Sequence, residues 1–247
     1  MYTFNRILKI DLINLFTNPM WLFYCVGFPV ALVLVLGFLT SGGYGDTVTS
    51  YDYYGVALMI YSIFSSASLA ANSFMEERVK SPNMRIVYSP VRPFCIHFSK
   101  VLASFIFCSI CYTTAGVILH LLVGVNYGQH NILFIYILML FGILLFSSLG
   151  VMMCCILKSE SAANQILSLL TSVASLLGGI FFQVDGLGQI IAKISWISPA
   201  KWMMTAAMQI IYDKNLNLFL PVCGLSFLLT AISLLVSTRK FEGEEYL

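Results

Sequence analysis

Six runs of about twenty mostly apolar residues recur along this sequence, and each is long enough to cross roughly 30 Å of hydrocarbon as a helix rising about 1.5 Å per residue. They cover approximately Trp21 to Leu39, Tyr53 to Phe74, Val101 to Val123, Ile132 to Leu157, Ala163 to Phe182, and Leu218 to Val236. A water-soluble fold is excluded, because 59% of the 247 residues are hydrophobic and 10% charged, against roughly 25% charged in soluble domains. Backbone polar groups in lipid must be satisfied internally, so the expected class is all-α: a polytopic membrane protein with six transmembrane helices.

Basic residues set the orientation, since positively charged links are retained on the cytoplasmic side. Arg6, Lys9, Arg78, Lys80, Arg85, Arg92, Lys100, Lys158, Arg239 and Lys240 share one side, whereas Lys193, Lys201 and Lys214 lie on the other. Both termini are thus expected in the cytoplasm, and the protein in the plasma membrane. With a net charge of +2 and no basic stripe, nucleic acid is not an expected partner. The cysteines at 25, 95, 108, 111, 154, 155 and 223 sit mostly inside apolar runs and read as small buried hydrophobes.

Residues 1–20 read as an interfacial helix. Phe4, Leu8, Leu12 and Leu15 share one face, Arg6 and Lys9 point away from it, and Asn18-Pro19 breaks the chain before the first span. A plain positive-inside anchor is the alternative. The outer loop from Thr40 to Asp52 and the shorter one from Gly124 to Asn131 are too small to fold alone, so Tyr51-Asp52 and Gly43-Tyr44-Gly45-Asp46 read as turn chemistry in water. The remaining residues, 21–247, form one transmembrane domain with two long connections, 76–100 inside and 183–217 outside.

Function concentrates in such links. The inner one, EERVKSPNMRIVYSPVRPFCIHFSK, mixes charge, proline breaks and apolar residues, which suits short helices lying along the membrane face as a docking element. In the outer one, Ile190 to Ile197 is apolar but too short to span, bracketed by Gly186, Gly188 and Pro199. It is expected to enter the membrane as a re-entrant helical hairpin between spans five and six; a loop resting on headgroups through Trp196 and Trp202 is the alternative.

The order Glu77-Arg78, Arg85, Ser89-Pro90-Val91, Ser99-Lys100 resembles the cytoplasmic link after the second span of ABC-2 type ABC transporter permeases. Ser81-Pro82 stands where Gly-Thr is usual there, and Met84 where an acid is usual. The stretch GGIFFQVDGLGQIIAKISWISPAKWMMTAAMQIIYD is similar to that family's fifth span and outer helices, with Ser198-Pro199 and Trp202 matching a Pro-x-x-Trp pattern and Gln183 replacing a common proline. The resemblance implies that Glu76, Glu77, Arg78, Arg85, Ser89, Pro90 and Arg92 belong to a coupling segment docking on an ABC ATPase subunit, and that Phe181, Phe182 and Gln183 lie at an outer gate. It also implies a second permease copy, in a homodimer or a heterodimer.

Within the spans the polar groups are small: Ser62, Ser65, Ser66 and Asn72 on the second, and Ser168, Thr171, Ser172 and Ser175 on the fifth. At three- and four-residue spacing they serve close helix packing, or, as the resemblance implies, a translocation path. Almost no ionisable group lies at mid-depth, which disfavours an ion-coupled carrier. The sequence holds no phosphate-binding loop and no zinc motif. No catalysis, metal or cofactor is therefore expected on this chain, and ATP and Mg belong to the partner. The expected function is export of an amphipathic or hydrophobic cargo, such as a drug (multidrug efflux), an antimicrobial peptide or a lipid-like metabolite. A non-transporting scaffold or immunity-type protein is the rival.

Overall fold

The structure, a computed structural model, describes residues 2–45, 47–75, 93–182 and 188–240. Among them every regular element is helical. An N-terminal helix α1 (Tyr2–Thr17) precedes α2 (Pro19–Leu39), α3 (Ser50–Met75), α4 (Pro93–Val123), α5 (Ile132–Leu157) and α6 (Glu160–Gly178). Two short helices, α7 (Gln189–Ser195) and α8 (Pro199–Met208), then lead to α9 (Phe219–Lys240). Six of these helices, α2 to α6 and α9, are long and apolar enough to cross a membrane.

Local chemistry sets where the helices begin, bend and end. Asn18 caps α2 by accepting from the Met20 N–H at 3.1 Å, with Pro19 at the first position. Pro29 has no N–H to give Cys25, and the turn before it widens to a π-turn over Phe23–Gly27. Between α5 and α6 the chain reverses through Lys158 in the left-handed region, and Ser159 then caps α6.

The centre of the bundle is α3, which packs against α2, α4, α5, α6 and α8. Lipid is as apolar as leucine, so helices gain little by hiding leucines and associate instead through close packing and hydrogen bonds. Gly150 on α5 shows the closeness: a Cβ there would lie 2.0 Å from the Ala67 carbonyl oxygen on α3. Large apolar side chains such as Leu121 and Leu220 stay exposed, as lipid permits.

Several boundaries differ from the sequence expectation. Helix α3 starts at Ser50 instead of Tyr53, so Asp52, expected in an aqueous loop, is buried in its first turn. Residues 93–100 of the inner connection are the first turns of α4. Helix α6 stops at Gly178, short of Phe182, because Gly179 turns left-handed (φ 77°) and the Ile180 N–H closes onto the Ser175 carbonyl at 3.1 Å. At the last helix, α9 runs to Lys240, past Val236. The buried edge of α1 is Ile7, Asp11 and Leu15, with Phe4, Leu8 and Leu12 half-buried beside it. That edge rests on α4, where Phe16 meets Phe107 edge-on at 4.9 Å, while Arg6 and Lys9 are exposed.

Candidate functional site

The ends of α3 carry most of the polar contacts between helices. At the Ser50 end, Thr49 and Asp52 form a reciprocal cap: the Asp52 N–H donates to Thr49 Oγ1 at 3.1 Å and the Thr49 N–H to Asp52 Oδ2 at 3.2 Å. Asp52 Oδ1 also accepts from the Asn126 N–H at 2.7 Å, tying α3 to the α4–α5 loop. The carboxylate sits where the helix dipole favours negative charge. Beside it, Tyr53 donates its hydroxyl to the Gly179 carbonyl and Tyr54 donates to the Phe181 carbonyl at 3.1 Å, so α3 holds the chain leaving α6.

Phenols surround this end. Burial pushes the Tyr44 and Tyr127 hydroxyls well above the ordinary range and Tyr212 up to about 12, with the Asp52 charge adding to the effect at Tyr127 and Tyr212. They remain neutral donors at physiological pH. Of the expected gate residues, Phe181 is half-buried with its ring edge-on to Tyr61 at 5.7 Å, and Phe182 is 45% exposed. Gln183 lies outside the described residues.

At the other end, Asn164 of α6 donates to the Asn72 side-chain oxygen of α3, and the Ser73 and Ser104 hydroxyls, 3.1 Å apart, join α3 to α4. Lys100 of α4 donates to Asp11 of α1 at 2.5 Å, with the two side chains 0% and 6% exposed. Burial raises the Asp11 carboxyl pKa against the opposing pull of Lys100. Such a pair is costly to break, since removing one partner strands a buried charge. It fastens α1 to the helix that follows the inner link. Glu76, Glu77, Arg78, Arg85, Ser89, Pro90 and Arg92 of that link lie outside the described residues.

The two hydroxyl stripes have different surroundings. On α3, Ser62, Ser65 and Ser66 are buried and donate to Leu58, Tyr61 and Ile63 of their own helix at 2.9, 3.1 and 2.6 Å, while Asn72 is engaged with α6. On α6, Thr171 and Ser175 are buried, but Ser168 and Ser172 are exposed, and Ser161 and Gln165 continue the same exposed ridge at helical spacing. Sequence reasoning missed Ser161 and Gln165; stepping back from Ser168 by three and then four more residues would have found them. Among the described residues no group of three His, Cys, Asp or Glu is placed to hold a metal.

Between the last two candidate spans, Ser198 accepts from the Ala200 N–H at 3.2 Å and donates to the Ala174 carbonyl of α6 at 2.7 Å. This sets α8 into the bundle with Ala200, Lys201, Met203, Met204, Ala206 and Ala207 buried. Helix α7 instead exposes Ile190, Ile191 and Ile194.

The described residues form a multi-pass helical bundle with a docked N-terminal helix and two short helices between its last two candidate spans. The family model described as ABC-2 type transporter matches residues 2–212, from α1 through α8 and the turn after it, and the chain belongs to that family. It is a transporter permease, of a family that generally works with an ABC ATPase and is not itself catalytic. No curated protein matches this chain.

Proposed function

We propose that this chain is the membrane subunit of an ATP-driven exporter in the plasma membrane, paired with a second permease copy and moving an amphipathic or hydrophobic cargo outward. Both termini face the cytoplasm. A separate ATPase binds ATP and Mg and docks on the coupling segment, with Glu77 and Arg78 at the contact and Glu76, Arg85, Ser89, Pro90 and Arg92 around it. Its closure pushes α4 and α1 together through the Asp11–Lys100 pair, and α3 carries the movement to Phe181, Phe182 and Gln183 at an outer gate. Helices α7 and α8 form the re-entrant hairpin beside that gate.

The observation that carries this reading is the exposed ridge of Ser161, Gln165, Ser168 and Ser172 on α6. Polar side chains in a span avoid lipid and face protein or a water-filled path. An exporter built from two copies supplies that environment between them. Ser62, Ser65 and Ser66, bonded back onto α3, then stand behind the path instead of lining it.

Reconstitution with the separate ATPase provides the test. Wild-type permease should change the ATPase turnover and move a fluorescent amphipath across the vesicle wall. Glu77→Ala with Arg78→Ala should abolish ATPase binding, whereas Gln165→Leu with Ser168→Leu should leave binding intact and stop transport. A wild-type chain that neither binds an ATPase nor alters its turnover makes the scaffold reading the correct one.

A further inference from the structure

A cleft of about 470 Å³ opens between α4 and α5 near the loop that joins them. Met59 of α3 lies at its back, and Val117 and Leu121, 53% and 76% exposed, stand along its side. It is therefore reached from the lipid face. Gly116 leaves the room: a Cβ there would stand 3.4 Å from the Met59 methyl carbon and 3.8 Å from the Tyr127 hydroxyl.

The polar groups gather at the loop end of the cleft. His120, Asn126, Tyr127 and Gln129 line it there, and His120 Nδ1 is held 2.9 Å from the Val125 carbonyl oxygen. The Tyr127 hydroxyl is buried, and among the described residues it has no hydrogen-bond partner. A buried orphan donor of this kind costs stability unless something occupies it. Among the described residues, none that lines the cleft is Lys, Arg, Asp or Glu. Behind the rim, Asp52 accepts from the Asn126 N–H at 2.7 Å and puts a negative charge near Tyr127. A phosphate head would meet no cation here and one nearby anion. A neutral head that accepts a hydrogen bond meets a waiting donor.

We propose that the cleft binds a neutral membrane amphipath of the acylglycerol class, its ester or hydroxyl oxygen accepting from Tyr127 and its acyl chain lying along α4 and α5. Among the described residues, none of those that line the cleft belongs to α6. Its occupancy does not depend on whether the chain exports anything.

The full-length protein in nanodiscs, exposed to a monoacylglycerol carrying a photoreactive diazirine on its chain, tests this. Labelling should map to the α4 and α5 segments lining the cleft and be competed by unlabelled monoacylglycerol. The same chain bearing a phosphate head, or no head at all, should label there far less. Tyr127→Phe should weaken monoacylglycerol binding about fivefold, the effect of one lost hydrogen bond, and leave the headless probe unchanged. Gly116→Leu should abolish labelling, with a monodisperse elution profile showing that the variant is folded; if it is not, Tyr127→Phe decides. Equal labelling by the phosphate-headed probe, labelling outside the cleft only, or no effect of Tyr127→Phe overturns the proposal. Because the readout is binding, these outcomes are separate from failure of the transport reading.

Discussion

Helices α3 and α6 carry nearly the same pattern of small hydroxyls, yet the fold treats them in opposite ways. Nearly all of α3 is buried, whereas half of the hydroxyl stripe of α6 stands on an exposed ridge, although Ser172, like the serines of α3, bonds back to its own helix. Spacing alone therefore does not tell a buried stripe from an exposed one. What separates them is the number of neighbours. Contacts with five other helices surround α3, whereas α6 packs mainly on α3, α8 and α5 and leaves one side open.

The largest effect expected from this contrast comes from adding volume to the tight side. Gly150→Leu would push a side chain into the Ala67 backbone, where a Cβ already falls at 2.0 Å. We expect a loss of about 3 kcal/mol or more, since overpacking a backbone contact cannot relax through a rotamer change. Thermal unfolding in detergent measures it; a variant as stable as the wild type would show that α3 and α5 do not approach closely.

A matched pair comes next in size. Ser66→Leu, at a fully buried site, should cost about 1–3 kcal/mol, while Ser172→Leu should stay within about 0.5 kcal/mol of wild type and impair transport instead. The same contrast is read chemically with Gln165→Cys and Ser66→Cys in a Cys95→Ser background. The other native cysteines are buried, so a charged thiol reagent should modify the first and spare the second. Equal labelling would erase the distinction between the helices.

Much of the scaffold was legible in the sequence, because span length is a property of the bilayer and needs no knowledge of neighbours. All six spans lie where the apolar runs put them. The ends were less legible, since they depend on single residues whose effect is tertiary or conformational. Gly179 ended α6 early, and Thr49 with Asp52 started α3 early. Asp11 left a signal that could have been used: an acid between Leu8 and Leu15 contradicts a face meant for lipid, unless a buried cation answers it. Lys100 does. The burial of Ser62 and the exposure of Ser168 left no such signal, because both are serines in apolar helices and only the arrangement of the other spans distinguishes them.

The smallest expected effect concerns the point where the two helices touch through polar side chains. Asn72 of α3 and Asn164 of α6 are hydrogen-bonded to each other, so each should lose stability when changed to Ala. The coupling between them in a double-mutant cycle should be about 0.6 kcal/mol, the average found for polar pairs within membranes, where the unfolded helices also find partners. The functional consequence should exceed the energetic one, because this contact links the rigid central helix to the helix bearing the exposed ridge. Asn164→Ala should therefore loosen the coupling between ATPase turnover and transport while lowering stability only slightly. If the cycle gives no coupling energy, α6 is not fastened to α3 at this end, and its movement would have to be controlled from its other end, through the Tyr53 and Tyr54 contacts and the Ser198–Ala174 bond.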